Sequence, residues 1–157
     1  MSLKPIRLKS LLLYVVVTLL FGIVGALFGG DTGEIYATLI KPPLSPPGIL
    51  FPIVWTILYI LMGIGAYILS TENSLKTDFL LKIYWAQLTL NALWPLVFWR
   101  FEAYTFASVI IAAILALTIY LTIKSFSINK IASYLFIPYI IWLLFALYLN
   151  IAIAILN

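Results

Sequence analysis

The residues able to do chemistry in this chain are amides, phenols and indoles placed at helical spacing in otherwise apolar runs. Gln87, Asn91, Trp94 and Phe98 stand at i, i+4, i+7 and i+11, a single helical stripe that begins with two amides and ends with two aromatics. Trp55, Tyr59 and Met62 form a second stripe. Tyr139, Trp142, Phe145 or Ala146, and Leu149 form a third, with Asn150 one step away. Facing one another, such stripes would wall a pocket for a flat apolar ligand bearing a few polar groups. The same spacing suits plain helix packing, because amides hydrogen-bond across membrane helices and Trp and Tyr collect at membrane interfaces. Spacing alone favours packing.

What is missing narrows the chemistry further. The chain has no histidine and no cysteine. That removes thiolate and disulfide chemistry, the commonest metal ligand and the commonest general base, so no metal site is expected. It carries no phosphate-cradling, dinucleotide-binding or zinc-protease motif, and no basic, aromatic-interleaved patch for nucleic acid.

The elements that must hold the stripes are read from hydropathy. Hydrophobic residues make up 65% of the 157-residue chain and charged residues 9%. Soluble domains run at about 45–50% and about 25%. Apolar runs cover residues 10–30, 49–70, 79–99, 103–123 and 131–157. Each reaches the roughly 20 residues a helix needs to cross a bilayer, and none alternates as a membrane strand does. The expectation is one all-α integral membrane domain over 1–157, a five-transmembrane-helix bundle. Lys82 is the one charge inside a run, a turn from its start, where it can snorkel to the interface. The first run is too long for a signal-peptide core and lacks a small-residue cleavage site, so it reads as a retained helix.

The loops carry the orientation. With five spans, Lys4, Arg7, Lys9, Lys76, Lys82, Lys124 and Lys130 share one side, against Lys41 and Arg100 on the other. Seven cations against two place the N-terminus in the cytoplasm and the C-terminus outside. The first connection, residues 31–48, is the long one, and four of the eight prolines fall at Pro42, Pro43, Pro46 and Pro47. Proline fixes φ, so this stiff segment is either a lid over the bundle or a rigid spacer that starts the second helix. Small residues at Gly22-x-x-x-Ala26, Gly25-x-x-x-Gly29 and Ser108-x-x-x-Ala112-x-x-x-Ala116 mark close-approach faces, expected to pack helices within the bundle.

Three blocks together resemble the TspO/MBR family, the tryptophan-rich sensory proteins related to the mitochondrial translocator protein or peripheral benzodiazepine receptor. The first is Tyr36-Ala37-x-Leu39-x-Lys41-Pro42, then Pro46-Pro47, then Pro52-Ile53-Val54-Trp55-Thr56-Ile57-Leu58-Tyr59. The second is Gln87-Leu88-x-Leu90-Asn91-x-x-Trp94-Pro95-x-x-Phe98. The third is Pro138-Tyr139-x-x-Trp142-x-x-Phe145 with Leu149-Asn150. The resemblance implies five helices with a ligand held between them beneath the first loop. It implies porphyrins as ligands and, in animal members, cholesterol and drug-like molecules.

Carried onto this sequence, the resemblance makes Trp55, Asn91, Trp94, Tyr139, Trp142 and Ala146 pocket residues, with Tyr59 on the same wall. Tyr36 and Lys41 are placed to meet porphyrin carboxylates. With no histidine for axial ligation, the expected ligand is a metal-free porphyrin and no resident cofactor is implied. The expected function is a membrane receptor or carrier of tetrapyrroles, in the plasma membrane of a prokaryote. Two alternatives stand beside it: light-dependent porphyrin degradation through Trp55 and Trp142, and a structural or signalling membrane protein. The sequence also departs from the family pattern. Leu44 stands where a loop tryptophan is common, and no cation follows Lys130 to complete a cholesterol motif. Lys82 four residues before Ala86 breaks the small-residue dimer pattern, leaving a homodimer undecided.

Overall fold

The computed structural model describes residues 6–72 and 74–157. Lys4, counted above among the cytoplasmic cations, lies outside the described residues. The chain runs α1 (Leu8–Gly29), α2 (Thr32–Thr38), α3 (Leu50–Ser70), α4 (Leu75–Pro95), a π-helical turn (Leu96–Arg100), α5 (Tyr104–Phe126) and α6 (Lys130–Leu156). No strand occurs among the described residues.

Six α-helices rather than five is the first correction. The long Pro-rich loop divides into a helix and a shorter connection. Asp31 accepts a hydrogen bond from the Glu34 backbone N–H at 3.4 Å and caps α2, whose first turn also carries the Glu34 carboxylate. The helix then stops before the prolines, which have no backbone N–H to continue it. Ser45 N donates to Pro42 O at 3.4 Å, closing a turn with Pro43 and Leu44 at its centre, and Leu44 adopts φ 68°. That is the pattern of a type II turn, with proline second and a left-handed residue third.

Four helices, α1, α3, α5 and α6, are long and apolar enough to cross a membrane. α4 is long enough but carries Lys76, Asp78 and Lys82 in its opening turns, and Gln87 and Asn91 further on. It starts at Leu75, before the expected 79, because Ser74 and Thr77 form a capping box: Thr77 N donates to Ser74 Oγ at 3.2 Å and Ser74 N to Thr77 Oγ1 at 2.9 Å. α6 starts under a similar device, with Asn129 Oδ1 accepting from Ile131 N at 3.1 Å and Ala132 N at 3.2 Å.

The five long helices close into a ring. α1 packs on α3 and α4, α3 on α6, α6 on α5, and α5 on α4. One end of the ring is solid, with Met62, Tyr84, Phe136 and Leu143 all fully buried. There Thr18 and Tyr84 share a hydroxyl–hydroxyl hydrogen bond of 2.5 Å.

Glycines set the closest crossings. A Cβ on Gly63 would sit 2.8 Å from Val15 Cα, and one on Gly25 would sit 3.2 Å from Ala92 Cα. The α1 small-residue pattern therefore does pack helices. The α5 pattern does not: Ala112 and Ala116 are exposed, and the buried face of α5 is Ala107, Ile111, Ile114 and Thr118.

The α1–α3 crossing gives a direct prediction. Gly63→Ala forces backbone apart and should lower stability by about 1–3 kcal/mol, as overpacking does. Gly33→Ala, whose new Cβ would meet only Asp31 Oδ1 at 3.7 Å, should cost nothing. Thermal unfolding of the two variants in one detergent compares them.

Candidate functional site

At the other end of the ring the helices part around a cavity of about 700 Å³, roofed by α2 and the Pro-rich connection. That volume suits a drug-sized ligand. Its walls come from α1, α3, α4 and α6, and no charged side chain lines it among the described residues.

Of the residues expected at a pocket, Tyr36, Trp55, Tyr59, Asn91, Trp94, Trp142 and Ala146 line this cavity. Helical spacing explains the convergence, since each stripe turns one face of its helix to the same space. Trp55 is the centre of the aromatic wall. It stacks on Tyr59 at 5.6 Å between ring centroids and meets the edges of Tyr139 at 6.1 Å and Trp142 at 6.3 Å, the latter at 86°. Edge-to-face geometry sets the positive rim of one ring against the negative face of the other.

Behind this wall runs a chain of hydrogen bonds with one direction. Tyr59 OH donates to Asn91 Oδ1 at 2.5 Å, Asn91 Nδ2 donates to Tyr139 OH at 2.6 Å, and Tyr139 OH donates to Gln87 Oε1 at 3.1 Å. Tyr139 is fully buried and does not reach the cavity. Both heteroatoms of Asn91 are engaged within the protein, so its main work is holding the two tyrosines that flank Trp55. Trp94 Nε1 donates to Asn150 Oδ1 at 2.9 Å, and Asn150 Nδ2 donates to Ala146 O at 2.7 Å, so this pair is also satisfied internally. Two buried donors, Trp142 Nε1 and Gln87 Nε2, have no hydrogen-bond partner.

Lys41 does not line the cavity either. Its ammonium donates to the backbone carbonyls of Tyr36 at 2.9 Å and Leu39 at 3.4 Å and lies 4.9 Å from the centroid of the Tyr36 ring. A cation at the carbonyl end of α2 is where the helix dipole favours it. Tyr36 itself forms part of the roof: its hydroxyl donates to Pro46 O at 2.6 Å, and its ring meets Phe51 and Trp99 edge-on. Burial pushes the Tyr36 phenol above its ordinary range, with Ser45 opposing, which keeps it a neutral donor.

Sequence reasoning missed part of the lining. Trp99 and Phe51 join the cavity, as do Gly22, Ile23 and Ala26 of α1. The Gly22-x-x-x-Ala26 spacing was the available signal, but it reads equally as a packing face. Trp99 comes inward through the π-helical turn after Pro95, which no spacing rule anticipates.

Asn91→Leu should strand the Tyr59 hydroxyl without its acceptor, at about 1–3 kcal/mol, and take from Tyr139 OH the donor it accepts from while leaving its bond to Gln87. In a background that also carries Tyr59→Phe and Tyr139→Phe, the same change should cost much less, because no donor is left stranded. A mutant cycle read by thermal unfolding distinguishes these outcomes.

Comparison with known proteins agrees with this architecture. The profile of the TspO/MBR family matches residues 14–156. The chain is 39% identical over 127 residues to the tryptophan-rich protein TspO of Chlorobaculum tepidum, covering 78% of each. It is 35% identical over 153 residues to the tryptophan-rich protein TspO of Archaeoglobus fulgidus, covering 96% of this chain and 99% of that one. The human translocator protein is 32% identical over 118 residues, with 73% and 70% covered. Apolar spanning helices and a match over nearly the whole chain lead to one conclusion: this is an integral membrane protein that belongs to the TspO/MBR family.

Proposed function

We propose that this protein is a membrane receptor or carrier that takes a porphyrin, or a similarly flat apolar molecule, into the cavity beneath α2. The observation that carries the reading is the wall itself: about 700 Å³ of uncharged space faced by Trp55, Tyr59, Trp94 and Trp142. Indole and phenol rings give a macrocycle large contact area at little cost in side-chain entropy. Since no cation among the described residues lines the cavity, a porphyrin's carboxylates stay at the roof, on the side where Lys41 lies. The ligand is metal-free in this reading, because the chain has no histidine to hold iron. Sensing and translocation, the roles in the names of the relatives, both need such a pocket.

The reading includes the arrangement in the membrane. α4 spans beside the four more apolar helices, giving five crossings, with the roof outside and the connection between α3 and α4 in the cytoplasm. The cation distribution supports this orientation.

One feature favours a second reading. Trp55 and Trp142 stand edge to face at 6.3 Å on the cavity wall, where either indole could give an electron to a photo-excited macrocycle. That reading predicts loss of the porphyrin Soret band in light and not in the dark, and its abolition in Trp55→Phe.

Titrating protoporphyrin into the purified protein tests the main reading. Saturable quenching of tryptophan emission is expected, with affinity weakened about tenfold in Trp142→Ala, roughly 1.4 kcal/mol. Absence of quenching, or an unchanged affinity in the variant, counts against it.

A further inference from the structure

Helices α1 and α3 touch at one end and part at the other. At Gly63 the α3 backbone lies so close to α1 that a Cβ would sit 2.8 Å from Val15 Cα and 3.2 Å from Tyr14 O. One turn towards the roof, the Tyr59 ring fills the space a side chain on Gly22 would need. Beyond Tyr59, towards the roof, residues of both helices line the cavity. Ile23 and Ala26 of α1 and Pro52 and Thr56 of α3 line the cavity, and all four are exposed on the outside of the bundle, Ile23 by 56%. A residue that faces both the cavity and the exterior marks an opening. These four lie within apolar spans, so the exterior they meet is lipid. The one hydroxyl among them, on Thr56, is turned back to Pro52 O at 2.7 Å, which leaves the opening apolar.

The roof, by contrast, is fastened. Tyr36 OH donates to Pro46 O at 2.6 Å, and Tyr148 OH on α6 donates to Pro43 O at 2.8 Å. The Asn157 amide clasps the backbone of Ile40 at both ends, accepting from its N–H at 3.0 Å and donating to its carbonyl at 3.1 Å. Leu39 is buried in a cluster with Val97, Phe98 and Ile153. Reaching the cavity from water means breaking these hydrogen bonds and unpacking Leu39. Among the described residues, no hydrogen bond links α1 to α3 beside the cavity, so passage between them there breaks none.

We infer that ligands pass between the cavity and the bilayer hydrocarbon sideways, through the α1–α3 wedge, while the roof stays shut. This goes beyond the proposed receptor role: it names the side from which the occupant comes, and so its class, a flat aromatic molecule already dissolved in the membrane. Tyr59 stands at the vertex of the wedge and sets how far such a molecule slides in.

The absence of cysteine makes the test clean. Two double variants are prepared in lipid nanodiscs, Ala26→Cys with Thr56→Cys across the wedge and Ile40→Cys with Asn157→Cys across the roof. Each is measured before and after bridging with a short bis-maleimide, so that each unbridged variant serves as its own control for folding. The probe is pyrene, read as the saturable part of tryptophan quenching after rapid mixing. Bridging the wedge should slow uptake at least tenfold, and bridging the roof should leave it within twofold. The reverse result, slowing by both bridges, or slowing by neither overturns the inference. So does an unbridged protein that takes up no pyrene. Pyrene reports the route whether or not protoporphyrin binds, so a failure here is separable from a failure of the porphyrin reading.

Discussion

The interior of this protein depends on a constraint that lipid imposes: a polar group inside the bundle has no water to turn to, so leaving one without a partner is costly, and among the described buried side chains only Gln87 Nε2 and Trp142 Nε1 go without. Asn91 meets that constraint by serving as both acceptor and donor, taking the Tyr59 proton and giving its own to Tyr139. Because Tyr139 then donates to Gln87, the direction of every bond in the chain is fixed. The arrangement orients more than amides. Tyr59 and Tyr139 both lie against Trp55, so the central ring of the wall is held from the cavity side by Tyr59 and from behind by Tyr139, which does not reach the cavity. Removing Asn91 would therefore disturb the wall even though its amide is spent on its neighbours.

A cavity beside such a network exists only because the helices do not stay close along their whole length. Gly63 brings α3 against α1 near the solid end, and Gly25 brings α1 against α4 beside the cavity, each leaving room for neighbouring backbone. Packing attraction is then gained where the helices touch, and a void of about 700 Å³ is tolerated where they diverge. In water such an apolar void would be a heavy loss of stability. Where it opens to lipid, acyl chains or a ligand can supply the missing contacts, so the open wedge lessens the cost of the cavity that it leads to.

The all-helical fold was legible from hydropathy, because runs of twenty or more apolar residues admit few other solutions in a bilayer. Helical periodicity put Trp55 with Tyr59, and Asn91 with Trp94, on one face, but it read equally as packing; the family resemblance is what made these residues, with Trp142, Ala146 and Tyr36 of the first connection, candidates for a pocket. Lys41 and Tyr139 show where that logic stops. Periodicity gives direction around a helix but not depth, so Tyr139 could not be told from a lining residue until Asn91 and Gln87 were seen to enclose it. Lys41 was assigned by its place in a motif, whereas its ammonium is fixed by the carbonyl end of α2, a helix hidden by the expectation of a proline-stiffened loop. The exposed Ala112 and Ala116 make the same point for small residues: a stripe states that close approach is allowed, and only the neighbours decide whether it happens.

The end of α4 joins several of these features into one solution. Pro95 has no N–H to offer the carbonyl a turn before it, and the chain after it widens into the π-helical turn Leu96–Arg100, closed by Phe101 N donating to Leu96 O at 3.1 Å. The wider turn is bulky, and it falls where α1 passes. Gly25 and Gly29 lie there: a Cβ on Gly29 would meet Pro95 Cβ and Trp99 Cδ1 at 3.3 Å each, and one on Gly25 would meet Pro95 Cγ at 3.5 Å. With that room, Phe98 packs into the second core cluster while touching the cavity, and Trp99 reaches both the cavity and the Tyr36 ring of the roof. Proline on one helix and glycines on another thus act together. The first bends the backbone so that two consecutive aromatics serve one cavity, and the second removes the side chains that would forbid it.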